Sequence, residues 1–136
     1  RGELFSGTHN FASGGDSFKL ALYTSNPYNT SSTVYVVTNE QSSGGGSNYT
    51  AGGNALTGNA VVSTGAVATC DFADSTWSSS TITANGAVIY NSSTTAGSAN
   101  RAVAVLAFGG DKSSTSGDFT ITFPAADASN AIIRIA

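Results

Sequence analysis

An all-β fold follows from three features of this sequence. Apolar and polar residues alternate in short runs, turn-forming clusters separate those runs roughly every eight to twelve residues, and no stretch carries the apolar period of a helix. Together they predict a single-domain antiparallel β-sandwich of about eight strands, jelly-roll-like as first choice and immunoglobulin-like as second, since strand count does not decide topology. At 136 residues the chain has the length of one domain and buries about two-thirds of its unfolded surface.

Residues 1–15 read as an N-terminal lead-in or arm, anchored by Leu4, Phe5 and Phe11 and bent at Gly7, Gly14 and Gly15; the sandwich occupies 16–136. Residues 16–24 (DSFKLALYT) are the first clear strand, with Phe18, Leu20 and Leu22 on one face and Lys19, Ala21 and Tyr23 on the other. A turn follows at 26–29, because Pro27 lacks an N–H and biases Asn26 away from helix. Residues 34–38 are a short β-branched run. Residues 40–48 (EQSSGGGSN) hold three consecutive glycines, which predicts a flexible exposed loop or a ribbon ordered by a partner. In the turn-rich 49–54 (YTAGGN), Gly52 and Gly53 suit backbone placed where a side chain would clash.

Further strands fall within 55–73, the best being 66–73 with Ala68, Cys70 and Phe72 on one face. Residues 74–80 (DSTWSSS) read as a polar piece around Trp77, the only tryptophan. Residues 82–90 read as a strand with Gly86 inside it, a candidate bulge or close approach. A Ser/Thr/Gly loop covers 91–100. The organising element is 101–124, predicted as a core hairpin: 102–108 is apolar on both faces and so covered on both sides, 109–117 is the connecting loop, and Phe119, Ile121 and Phe123 alternate with polar residues. Residues 125–129 connect to a last strand over 131–136 (AIIRIA).

Composition narrows the function. Charged residues are 10% of the chain, against roughly 25% in a typical soluble domain, and 21 Ser, 17 Thr and 16 Gly take their place. Such a surface is solvated by neutral hydrogen bonds and its contacts depend little on salt. It suits extracellular or particle-surface proteins. A net charge of −3 with five scattered basic residues argues against nucleic-acid binding. No apolar run approaches the ~20 residues of a membrane span. No signal peptide is visible, but the chain begins at Arg1 rather than Met, so that absence carries little weight.

Candidate chemistry is sparse. One histidine, His9, and one cysteine, Cys70, are too few for a catalytic triad or a zinc site, and Cys70 reads as a small buried hydrophobe. Asp71 and Asp74 are close in sequence as a glycosidase pair would be, yet their spacing puts them on opposite faces of a strand, where they end it and cap a turn. Asp111, Asp118 and Asp127 flank loops and offer oxygens for a structural calcium, without the spaced acidic loop of an EF-hand. Trp77 with Tyr28, Tyr35 and Tyr49 would make a sugar-stacking platform; a Trp buried between sheets or at a subunit interface is the simpler reading. Neither an enzyme, a cofactor nor a metal is expected.

Four blocks carry a resemblance: FKLALYTSN at 18–26, NYTAGGNALTG at 48–58, DFADSTWSSSTITANGAVIYN at 71–91, and VAVLAFGGDKSSTSGDFTITFPAADASNAIIRIA at 103–136. Together they resemble a family of small virion structural proteins of tailed bacteriophages, of the cyanophage and marine-phage type, over nearly the whole chain from about Leu4 onward. The resemblance implies a non-enzymatic component of the virus particle and offers no catalytic motif. It assigns Tyr49, Gly52, Gly53, Trp77 and Gly86 architectural roles. The expected function is a capsid decoration (cement) protein on the particle surface, bridging capsomers through the major capsid protein, as a homo-oligomer with a trimer favoured. Phe5 and Phe11, in the lead-in, are candidate interface residues. The alternatives are a neck, tail or fibre-associated virion protein, and a carbohydrate-binding module using Trp77. No nucleic acid or membrane partner is expected.

Overall fold

The computed structural model describes residues 2–94, 97 and 99–136, and the described chain is nearly all β. After a one-turn helix α1 (Gly2–Phe5) come β1 (Phe18–Tyr23), β2 (Asn54–Leu56), β3 (Ala60–Thr64), β4 (Val67–Asp71), β5 (Ser75–Asn91), β6 (Arg101–Ile121) and β7 (Ile133–Ile135). They form two antiparallel sheets, ordered β2-β1-β5-β6 and β3-β4-β7. Both sheets feed one apolar core. Phe18, Leu20, Leu22, Trp77, Ile82, Ile89 and Phe119 enter it from the larger sheet, Cys70 from the smaller, and Phe72 just past β4.

The expected 101–124 hairpin is overturned. Residues 101–121 are a single strand, lying antiparallel along β5 for its whole length. Gly109 and Gly110, with φ of 72° and 145°, make a bulge instead of a reversal: Ala107 pairs with Gly86 and Lys112 with Ala84, so residues 108–111 oppose Asn85 alone. The Asp111 carboxylate receives the Asn85 amide at 2.9 Å across that bulge. Nor is 102–108 covered on both sides, since its residues are half-buried or exposed at the edge of the sheet.

The same pairing explains why 74–80 is strand and not connection. The polar stretches 75–84 and 112–121 are each other's partners, joined by hydroxyl contacts between Thr76 and Thr120 (2.9 Å), Ser80 and Ser114 (3.0 Å), and Thr83 and Ser113 (2.9 Å). Among the described residues there are therefore seven strands rather than about eight; residues 34–38 contribute only an isolated bridge from Val34 to Arg101.

Other expectations hold. The β1 faces divide as predicted: Phe18, Leu20 and Leu22 lie in the main core, while Ala21 and Tyr23 join Val88 and Tyr90 in a second buried cluster on the other face. Gly86 is a close approach, where an added Cβ would sit 2.7 Å from the Leu106 carbonyl oxygen. The lead-in is packed onto the sandwich: Phe11 stacks on Phe18 with ring centroids 4.8 Å apart. The Asn91 amide donates to His9 Nδ1 (3.1 Å) and to Asp16 (2.7 Å), and His9 Nε2 faces Glu3 at 3.2 Å. The loop expected at 91–100 falls in part on residues outside those described.

Leu20 is fully buried and Thr120 lies on the solvent face. Leu20→Ala is expected to cost about 2–5 kcal/mol in urea unfolding, and Thr120→Ala less than about 1 kcal/mol. Equal small losses would show that the face assignment is wrong.

Candidate functional site

All five tyrosines of the chain meet in one region around Glu40. One Glu40 carboxylate oxygen accepts the Tyr49 hydroxyl and the Gly52 N–H, both at 2.6 Å; the other accepts the Tyr35 hydroxyl at 2.5 Å. Tyr35 stacks on Tyr90 at 4.5 Å, and the Tyr90 hydroxyl donates to the Gly52 carbonyl at 2.8 Å. The Tyr23 proton is committed to the Val36 carbonyl (2.7 Å), so it is the Tyr28 hydroxyl that donates to Tyr23 across their 2.7 Å contact.

This cluster closes the open side of β1. Beside Leu20 the edge is covered by β2; beside Leu22 the backbone N–H donates to Tyr49 Oη (3.1 Å) and the carbonyl accepts the Gln41 N–H (2.8 Å). At the end of the strand Thr24 N–H donates to the Asn39 carbonyl at 2.9 Å. Gly53 is what lets the chain come so near: at φ 75°, an added Cβ would lie 1.9 Å from the Leu20 carbonyl oxygen. The glycine-rich 40–48 loop is tied down by the chain itself. Thr81 N–H donates to the Gly46 carbonyl at 2.8 Å, and the Asn48 amide to the Ser78 and Ser79 carbonyls at 3.1 Å, in place of a neighbouring strand along β5.

Burial, reinforced by the Glu40 hydrogen bond at Tyr35 and Tyr49, holds the hydroxyls of Tyr23, Tyr35 and Tyr49 far above the usual tyrosine range. Burial pushes Tyr90 up to about 12, and the Cys70 thiol to about 12 with help from the Asp71 charge. Neither these four tyrosines nor the cysteine is ionised near neutral pH, and the tyrosine hydroxyls act as hydrogen-bond donors that hold the backbone in place. The cluster is a clamp.

Trp77 is only 3% exposed, against Tyr49 and Phe119. Trp77 and Tyr49 belong to the core, as the simpler reading of a buried Trp expected, so neither contributes an exposed ring to a sugar-stacking platform; Tyr28 and Tyr35 are half-buried. Phe11 is likewise core, whereas Phe5 is 85% exposed. Of the aspartates, Asp74 accepts the Phe123 N–H (2.9 Å) and Asp118 the Ser79 N–H (3.1 Å), while Asp127 caps its own turn through Ser129 and Asn130. Among the described residues no group of three or more His, Cys, Asp or Glu is placed to hold a metal. No helix of the described chain is long and apolar enough to cross a membrane.

Two surface features remain. An apolar cleft of about 100 Å³ is lined by Leu4, Phe11, Val61, Cys70, Ile133 and Ile135, with exposed Phe5 next to Leu4 in the chain. A wider groove of about 430 Å³ follows β6, with Phe108, Phe119 and Ile121 beneath and Lys112 and Asp118 at its rim. Sequence reasoning placed the double glycine Gly52–Gly53 at a close approach but missed Glu40, because the clamp joins residues from five separate stretches. No protein family, curated protein or solved structure gives a significant match to this chain.

Replacing Glu40 by Gln turns one acceptor into a donor facing the tyrosine hydroxyls and the Gly52 N–H. A loss of about 1–3 kcal/mol in urea unfolding is expected; no loss would show that the clamp carries no stability. The pH dependence has a definite sign. Cys70, Tyr23, Tyr35, Tyr49 and Tyr90 hold protons more tightly folded than unfolded, so the stability they contribute is full below their ordinary values of 9.0 and 10.0 and falls as pH rises toward 12. Thermal melts across that alkaline range check this, and tyrosinate absorbance appearing at ordinary pH without unfolding would contradict it.

Proposed function

We propose that this chain is a non-enzymatic structural protein of a tailed-phage virion, acting at the particle surface as a decoration protein that bridges and stabilises capsomers. The observation that carries the proposal is the apolar surface at the α1 end. Phe5 stands almost fully in solvent, and Val61 and Ile135, both half-exposed, flank a cleft with scarcely any polar lining. Exposed apolar side chains together with an apolar cleft are the kind of surface that marks a protein–protein contact. The low charge, the all-β scaffold and the four resemblance blocks support the same reading. Many copies on a repeating lattice multiply modest contacts, and binding to the assembled shell stabilises it by mass action. The major capsid protein is the proposed partner, reached through Phe5 and the cleft beside it, with the chain self-associating as a homo-oligomer. A neck, tail or fibre position is the second reading, for the same surface fits any apolar neighbour in the particle.

Quantitative mass spectrometry of purified particles against the major shell protein tests this. Copies on the order of hundreds per particle are expected for a lattice-wide role; a few dozen or fewer would move the chain to the neck or tail, and none would overturn the virion reading. Phe5→Asp, which disturbs no buried contact, is expected to release the chain from shells while leaving its thermal unfolding unchanged.

A further inference from the structure

We propose that the free edge of β6 over residues 103–107 pairs with the same segment of a second copy, antiparallel, about a two-fold axis at Val105. This goes beyond the proposed virion role and does not depend on it.

β6 is the last strand of its sheet, and among the described residues its outer side is occupied only where it begins. There Ala102 N–H donates to the Thr33 carbonyl (3.0 Å), Tyr35 N–H donates to the Asn100 carbonyl (2.7 Å), and Val34 bridges Arg101. From Val103 to Phe108 no backbone partner lies on the outer side among the described residues. The far side of the sheet is treated differently, since β2, Tyr49 and residues 39–41 close the edge of β1 piece by piece.

Soluble proteins blunt a free edge with charge, proline, glycine or a bulge. Past Phe108 all but proline are present: Gly109 and Gly110 bend the strand, Asp111 and Lys112 follow, and Ser116 takes a φ of 48°. Val103 is itself the extra residue of a small bulge, since Ile89 pairs with Ala104 and Tyr90 with Ala102, but residues 104–108 (AVLAF) carry none of these devices and Val105 is 45% exposed. Another strand's backbone is the partner that matches a whole row of edge N–H and C=O groups at once.

The segment is complementary to itself. In an antiparallel ladder opposed residues share a face, so their numbers differ by an even count. With the axis at Val105, Val103 opposes Ala107, Ala104 opposes Leu106, and Val105 opposes its own copy. Every opposed pair is apolar. The charges lie beyond both ends, and antiparallel pairing lays the Arg101 end of one copy beside the Asp111 end of the other. Arg101 is already partnered by Glu3 at 3.2 Å, so no unpaired like charge is brought into the seam. Two four-stranded sheets would join into one of eight.

Sedimentation equilibrium on the full chain over a concentration series is the test. The wild type is expected to dimerise, and Val105→Lys, at an exposed position, to weaken dimerisation about tenfold or more. Val62→Lys on β3, equally exposed but away from this edge, is expected to leave it unchanged. Val105→Cys in a Cys70→Ser background is expected to yield a disulfide-linked dimer on mild oxidation, because the axis sets residue 105 against itself, and it reports even if the Lys variant unfolds. A wild-type monomer throughout, a trimer, or a dimer that survives Val105→Lys and gives no such cross-link would overturn the proposal. None of these outcomes depends on the copy number in particles.

Discussion

The 17 residues of β5 lie against the 21 of β6, and the rest of the molecule hangs from that ribbon. Half of it is apolar and half is polar, and the two halves are held by different forces. In 86–91 with 101–107, burial of Ala87 and Ile89 supplies the driving force. In 75–84 with 112–121, only Trp77, Ile82, Ala84 and Phe119 reach the core, and the outer face is knitted by serine and threonine hydroxyls. Bulges at Gly109–Gly110, at Val103, and near Ser79 and Ser116 take up the length mismatch between the strands.

The ribbon leaves two edges to manage. The β5 side is finished by β1 for residues 86–91 and by loop atoms for the remainder, with the side-chain amides of Asn48 and Asn54 donating to β5 carbonyls where a strand would otherwise sit. The loop that does this is held in turn by Glu40 and the tyrosines. A carboxylate that collects two hydroxyls and an N–H in a half-buried site has its charge compensated by donors rather than by a cation, which fits a chain with so few basic residues. Among the described residues the β6 side is left open over 103–108, and exposed apolar residues also lie at the α1 end.

Much of the strand content was legible from the chain alone. Alternation in 18–23 set its two faces, and the spacing of Ala68, Cys70 and Phe72 marked the strand that brings Cys70 into the core. Gly53 and Gly86 announced close approaches that the backbone then made. The reading failed at 74–80 and 109–117 for one physical reason. A polar stretch is a loop if it faces water and a strand if it finds a partner with matching hydroxyls, and here the partner lay more than thirty residues away.

What the sequence determined by itself is the class of fold, the identity of most core-facing residues and the scarcity of catalytic groups, because periodicity and composition are local quantities. Tertiary structure alone decided that 101–121 is one strand, that Trp77 is buried rather than presented, that five scattered tyrosines meet at Glu40, and which sheet edge stays open. Each of those depends on which distant segments pair, and pairing is settled by the burial and hydrogen bonding of the whole chain at once.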